Sequence, residues 1–288
     1  MTKLAKRLLV FIIGVPFSAG VVLLLPYKAH LAANILVILL SAFGALEFAA
    51  LLKKKNNPLG AAEAAILGVA APLAATLTVS FGADEGITGV VCASGAFWLL
   101  TSRIFSPEER VKDALNRAAA GFAVTLYPGA FMAWIIRMGS LPRASPVILV
   151  FLLMVVANDS GAWAAGVLFG RGNRGVVPVS PNKSVAGFIG GFACTMAIGL
   201  CAVIFLPEPF APRGVAPPVA GLALGFIAAL GATLGDLGES ALKRSADTKD
   251  SGALIPGRGG VLDSIDSFCL AAPVYYIVYG LLFSPFLP

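Results

Sequence analysis

Nine stretches of about 20 mostly apolar residues, joined by short polar connections, constrain this chain most, because that is the length a helix needs to cross a bilayer. They run over Leu8–Pro26, Leu31–Leu52, Ala61–Phe81, Gly86–Phe105, Ala118–Met138, Pro146–Gly170, Ala186–Pro207, Ala216–Gly235 and Ile265–Phe283. Of the 288 residues 58% are hydrophobic and 12% charged, about half the charge of a soluble domain. This excludes a water-soluble enzyme, a nucleic-acid-binding module and a disordered chain. The expected fold is all-α, a polytopic integral membrane protein with about nine transmembrane helices. Lys3, Lys6 and Arg7 before the first stretch mimic a signal peptide, but Pro26-Tyr27-Lys28 is a poor cleavage site, so the stretch reads as a retained helix.

The charges give the sidedness. With the N-terminus in the cytoplasm, Lys3, Lys6, Arg7, Lys53, Lys54, Lys55, Arg103, Arg110, Lys112, Arg117, Arg171, Arg174, Lys183, Lys243, Arg244, Lys249 and Arg258 fall on that side, seventeen cations in all. Lys28, Arg137, Arg143 and Arg213 make four on the other. No repeat or long linker divides the chain, so the expected organisation is 1–145 for helices one to five and 146–288 for a catalytic half, with a cytoplasmic site loop at 235–266. Cys92, Cys194, Cys201 and Cys269 lie in apolar runs without a Cys-x-x-Cys pair and read as small core hydrophobes. His30 is the only histidine, lacks partners for a triad or a zinc site, and reads as an interfacial side chain.

The 235–266 stretch holds six of the fifteen acidic residues, Asp236, Glu239, Asp247, Asp250, Asp263 and Asp266, and four basic ones. If the eighth helix continues past Gly235, then Asp236, Glu239, Ser240 and Lys243 make one polar stripe, at a depth where a carboxylate is costly without a partner or a cation. Asp263 and Asp266 share a face where the ninth helix begins. Acids there suit the helix dipole, but two this close also call for a cation, and oxygen ligands bridging to phosphates are the habit of Mg²⁺. Before them Pro256-Gly257-Arg258-Gly259-Gly260 offers backbone N–H groups to a phosphate, beside Lys243, Arg244 and Lys249. Asn158, Asp159 and Ser160 interrupt the sixth apolar run, which makes Asp159 a functional-site candidate. Glu47 is a further acid within a span, and its sequence neighbours name no partner.

Acids for a metal, bases for phosphates and a membrane setting point to phosphoryl or nucleotidyl transfer on a lipid. The 27 positions from Ser240-Ala-Leu-Lys243-Arg244 through Lys249-Asp250-Ser-Gly252 and Ile255-Pro256-Gly-Arg258-Gly259-Gly260 to Asp263-Ser264-Ile-Asp266 resemble the signature of the phosphatidate cytidylyltransferase (CDP-diacylglycerol synthase) family. Gly235-Asp236-Leu-Gly-Glu239-Ser240, Asn158-Asp159-Ser160-Gly161-Ala162, Phe169-Gly170-Arg171, Ser180-Pro181-Asn-Lys183-Ser184, Gly187-Phe188-Ile189-Gly190-Gly191 and Glu47-Phe48 are similar to it as well. The resemblance is dense over 155–275 and looser before.

The resemblance implies a nine-helix fold, a homodimer, and a prokaryotic-type cytoplasmic membrane with the site facing the cytoplasm. It implies transfer of a cytidylyl group from CTP to phosphatidate, with no nucleic acid as partner. Asp236, Lys243, Arg244, Asp263 and Asp266 are then the catalytic set. Asp236, Asp263 and Asp266 would hold Mg²⁺, alone or with a second cation. Lys183, Ser240, Lys249, Asp250, Arg258, Gly259, Gly260, Asn158 and Asp159 are the expected binding residues. The family usually has His where this chain has Arg258 and Arg where it has Ser264, so one cation is gained and one lost, which reads as compensation. A CTP-dependent kinase of a polyprenol or other lipid alcohol, a CDP-ether-lipid synthase, and an ion-coupled transporter lined by Glu47, Asp159 and Asp236 remain open alternatives.

Overall fold

In a computed structural model of the chain, residues 3–55 and 59–283 are described, and their regular structure is helical: α1 (Lys3–Leu24), α2 (Tyr27–Lys53), α3 (Ala61–Phe81), α4 (Ile87–Thr101), α5 (Glu108–Val111), α6 (Ala114–Val124), α7 (Phe131–Arg137), α8 (Ala144–Phe169), α9 (Val185–Phe205), α10 (Pro217–Ser245) and α11 (Leu262–Phe283). Among the described residues, extended pairing is limited to two isolated bridges, Arg174 with Ser184 and Ile255 with Gly259.

Among the described residues, seven helical segments are long and apolar enough to cross a membrane: Tyr27–Lys53, Ala61–Phe81, Ala114–Ser140, Ala144–Phe169, Val185–Phe205, Pro217–Ser245 and Leu262–Phe283. The first and fourth expected stretches also form helices, but their apolar parts, Val10–Leu24 and Ile87–Thr101, are shorter. Fifteen residues of α4 rise about 22 Å, less than the roughly 30 Å hydrocarbon core, since the helix ends where the Ser102 hydroxyl accepts from Arg117 Nη1 at 2.6 Å. Conversely, α10 runs 29 residues, about 44 Å, so its polar last turns continue beyond the apolar run.

Local chemistry explains the irregular points. Lys28, Ala29 and His30 adopt left-handed backbone at the start of α2, so the regular helix begins at Leu31, as the apolar pattern marks it. Pro128 lacks the N–H that an α-helix interior requires, and Thr125–Ala130 widens into a π-turn between α6 and α7.

Two compact units share the chain. One is Met1–Arg137 with Leu242–Ile265, the other Met138–Ala241 with Asp266–Pro288. In the first, α2, α3, α6 and α7 pack through small residues: the Gly68 α-carbon lies against the Ala45 methyl, and Gly129 against the Gly68 carbonyl. A pair of the buried Arg117 with the half-buried Glu63 joins α6 to α3, and Trp98 Nε1 of α4 donates to the same carboxylate at 2.8 Å. In the second, α8 and α9 meet at Gly161 and Gly190, and α9 and α10 at Gly199 and Gly221. Phe151 and Tyr275 fill its core, the tyrosine hydroxyl donating to the Val147 carbonyl at 3.1 Å.

His30 is buried within the protein. The reading of the cysteines as core residues changes. Cys194 and Cys201 are exposed on α9 and only Cys269 is buried, because α9 turns much of its apolar surface outward.

Candidate active site

The continuation of α10 to Ser245 places Asp236, Glu239, Ser240 and Lys243 on one helical stripe, so only residues 246–261 of the expected site loop are non-helical. Asp263 and Asp266 lie one turn apart at the start of α11, yet their side chains keep different company.

In the first unit, Lys243 Nζ donates to Asp263 Oδ1 at 2.5 Å, with the two side chains only 12% and 7% exposed, so little water screens the pair. Asp263 Oδ2 accepts from Gly260 N at 2.7 Å, Ser251 N at 2.9 Å and Ser251 Oγ at 2.8 Å. A side chain reaching back three residues to a free amide is how a helix start satisfies its orphan donors. The preceding turn needs glycine at Gly257 (φ 81°) and Gly259 (φ 116°), where the backbone is left-handed. Arg258, held between them, lines a cavity of about 220 Å³ together with Asp250. Lys249 and Arg244 are exposed, and Arg244 Nη1 donates to the Thr248 carbonyl at 3.2 Å.

The same segment reveals the partner of Glu47. Glu47 Oε2 accepts from Ser251 Oγ at 3.0 Å and from the Leu262 amide at 2.8 Å. A Cβ on Gly252 or Gly260 would run into the Glu47 carboxylate. Beside it, a cleft of about 520 Å³ is lined by Phe43, Leu46, Ala50 and Leu254. Neither Ser251 nor this contact is suggested by the sequence, since 204 positions separate the two residues.

In the second unit, Lys183 Nζ meets Asp236 Oδ2 at 2.6 Å. Its placement is local: Ser184 caps α9 by accepting from Gly187 N at 3.0 Å, and Gly175 N holds the Lys183 carbonyl at 3.2 Å. Asp266 is buried and accepts from Ser267 N at 2.6 Å, while Ser267 Oγ donates to Asp159 at 3.3 Å. Asp159, Asp236 and Glu239 all lie within electrostatic reach of Asp266. Asn158 is buried, its Nδ2 donating to Thr233 Oγ1 at 3.4 Å, and Ser240 is half-buried on α10.

Among the described residues, no three His, Cys, Asp or Glu side chains stand ready to coordinate a metal ion. The donor chemistry nonetheless suits a hard divalent cation. Asp159, Asp236 and Glu239 lie within electrostatic reach of the buried Asp266, Lys183 pairs with Asp236, and a cation would offset the repulsion that arises when these acids ionise. Asp263 is a different case: the Gly260 and Ser251 amides donate to Oδ2, the Ser251 hydroxyl is shared between it and Glu47, and Lys243 occupies Oδ1.

Fold and site define the class: a helical integral membrane protein in which lysines pair with carboxylates at the ends of apolar helices. The chain matches the cytidylyltransferase family over residues 5–282 and belongs to it. A phosphatidate cytidylyltransferase of Mycobacterium leprae is 33% identical over 215 residues, 71% of this chain and 65% of that protein. The enzyme so named in Bacillus subtilis is 31% identical over 206 residues, 70% of this chain and 72% of that protein. That of Staphylococcus saprophyticus is 38% identical over 131 residues, 46% of this chain and 48% of that protein. The match thus spans less than two thirds of the Mycobacterium leprae and Staphylococcus saprophyticus proteins.

Proposed function

We propose that the protein transfers the cytidylyl group of CTP to phosphatidate, releasing pyrophosphate and leaving CDP-diacylglycerol in the membrane. The observation that carries this reading is that two lysines rest on carboxylates of the expected catalytic set, Lys243 on Asp263 and Lys183 on Asp236. A lysine resting on a carboxylate can turn to an incoming phosphate, and the carboxylate oxygen it leaves is then free for a cation. Relatives named phosphatidate cytidylyltransferase support the choice of substrates.

The lipid phosphate monoester attacks the α-phosphorus of CTP, and pyrophosphate departs. Because the second pKa of a monoester is about 6, the nucleophile is largely ionised at neutral pH and needs no strong base. What the reaction requires is that two anions approach each other and that the leaving charge be held. Lys183, Lys243, Arg244, Lys249 and Arg258 supply that charge, and the Gly259-Gly260 turn brings backbone near the nucleotide. Asp236 and Asp266 would hold Mg²⁺, which would neutralise and orient phosphate oxygens, and Asp263 would hold Lys243 for a phosphate. The apolar cleft beside Glu47 suits the glycerol and acyl part of the lipid.

The proposed topology counts α1 and α4 as spans, giving nine helices with the N-terminus and the site on the cytoplasmic side, supported by the seventeen-to-four charge distribution. A homodimer is proposed on the family resemblance alone, and the oligomeric state in detergent tests it.

The experiment is turnover of purified protein with phosphatidate and CTP labelled at either the α- or the γ-phosphorus, with and without Mg²⁺. Label from the α-position should enter the lipid and label from the γ-position should leave as pyrophosphate. Transfer of γ-label to a lipid alcohol would establish the kinase reading, and no turnover with either lipid would remove both.

A further inference from the structure

Ser251 and Leu262, eleven residues apart, are tied to one carboxylate oxygen on a distant helix. Glu47 Oε2 takes the Ser251 hydroxyl at the start of this segment and the Leu262 amide at its end. Between the ties lie Arg258 and the two left-handed glycines. The Glu47 carboxylate also fills the space beside the Gly252 and Gly260 α-carbons, so the segment is folded around it. The Ser251 hydroxyl is shared as well: its oxygen is 3.0 Å from Glu47 Oε2 and 2.8 Å from Asp263 Oδ2, and it accepts from the Asp263 amide at 3.3 Å. Its single proton serves one carboxylate at a time, so the positions of Glu47 and Asp263 are linked through one hydroxyl.

We propose that Glu47 is the positioning residue of the 251–262 segment, a half-buried acceptor that closes the loop at both ends and thereby orients Arg258 and Asp263. It acts through hydrogen-bond acceptance and not through its charge on substrate or cation, because both donors converge on Oε2. Closing a segment of this length costs conformational entropy that the two hydrogen bonds, one from a hydroxyl and one from an amide, offset. The kinetic consequence rests on the proposed cytidylyl transfer, whereas the structural one does not.

The test is hydrogen exchange over residues 250–262 in the full-length protein, run beside turnover. Glu47→Ala should speed exchange there by about tenfold, the scale of a lost hydrogen bond. It should lower kcat by about 10²-fold, as expected when reacting groups are misplaced. Glu47→Gln keeps an oxygen acceptor without charge and should restore both slow exchange and turnover. Unchanged exchange in Glu47→Ala would overturn the proposal. So would a Glu47→Gln protein with wild-type exchange but the activity of Glu47→Ala, since that places the carboxylate charge in the reaction itself. Should Glu47→Ala not accumulate, Ser251→Ala removes the shared hydroxyl from the other side. The same faster exchange is then required, and its absence would overturn the proposal equally. If wild-type protein shows no cytidylyl transfer, the proposed reaction fails while the exchange measurements still decide the role of Glu47.

Discussion

Arg258 and Ser264 depart together from the family pattern, and the structure gives each a distinct place. The Arg258 backbone sits between two glycines that only a left-handed turn requires, and its side chain lines the cavity beside Asp250. Ser264 Oγ donates to the Gly260 carbonyl at 3.3 Å and carries no charge toward a phosphate. A guanidinium binds phosphate bidentately but does not give up a proton near neutral pH, so the replacement fits a binding duty and not acid catalysis. Arg258→Ala should therefore lower kcat/KM by the roughly 1.5–3 kcal/mol of a charged hydrogen bond, and Ser264→Ala by far less. Arg258→His combined with Ser264→Arg should recover activity that Arg258→His alone loses, and purely additive effects in that cycle would show the positions to be independent. Asp263→Asn and Asp266→Asn should each abolish turnover while the protein still inserts and folds; full activity of either at low Mg²⁺ would remove that residue from the metal set. Residue types were legible where chemistry is expensive, as with acids and lysines beside apolar spans. Companions were not: the Asp263–Asp266 pair reads as one site from its spacing, yet Asp263 is bound to Lys243, Ser251 and Gly260, and Asp266 lies among Asp159, Asp236 and Glu239.

Glycine spacing acts at the scale of helices. The segments Asn158-Asp159-Ser160-Gly161-Ala162 and Gly187-Phe188-Ile189-Gly190-Gly191, two separate motifs in the sequence, are two sides of one contact between α8 and α9. Gly187 lies against the Ala162 carbonyl, Gly190 against that of Gly161, and Gly191 against that of Asn158. Without a hydrophobic drive in lipid, such close backbone approach is a main source of helix association. Gly190→Ala places a methyl against Ala165 and the Gly161 carbonyl, and thermal unfolding in detergent should show a loss of about 1–3 kcal/mol. Gly89→Ala in α4 meets open space and should be neutral or stabilising by about 0.5–1 kcal/mol. Equal effects at the two sites would refute the packing argument. The charged contact of α3, α4 and α6 gives a second test. Glu63→Gln leaves Arg117, which is 4% exposed, without its counter-charge and should cost about 3–5 kcal/mol, whereas a loss below 1 kcal/mol would mean that water reaches the pair. The helices themselves were legible because apolar length decides them in a membrane. Their ends were less so: α4 stops at Thr101 where Ser102 serves Arg117, and α10 outruns its apolar stretch, both determined by tertiary partners.

For the whole molecule, the distribution of cations and the lengths of the helices bear on the same question. Seven helical segments have the length and apolarity to span, and two shorter apolar helices make the count nine if each also crosses. An odd count separates the two chain ends, and an even count would move every later connection to the opposite side. The charge asymmetry of seventeen to four is obtained only when both shorter helices are included. In the proposed topology the connection carrying Arg258 and the one carrying Arg213 lie on opposite sides of the membrane, with the former facing cytosolic CTP. Labelling with a membrane-impermeant thiol reagent, after replacement of the four native cysteines, reads this directly. Gly252 is a poor reporter, because its α-carbon is covered by Glu47. Leu254, 58% exposed in the same connection, and Val215, 39% exposed beside Arg213, have room for the reagent. Leu254→Cys should react in inside-out vesicles and stay protected in intact cells, and Val215→Cys should do the opposite. Reaction of both from the same side would mean that a span is missing between them. Reaction of Leu254→Cys from outside would separate the proposed site from its nucleotide and overturn both topology and function.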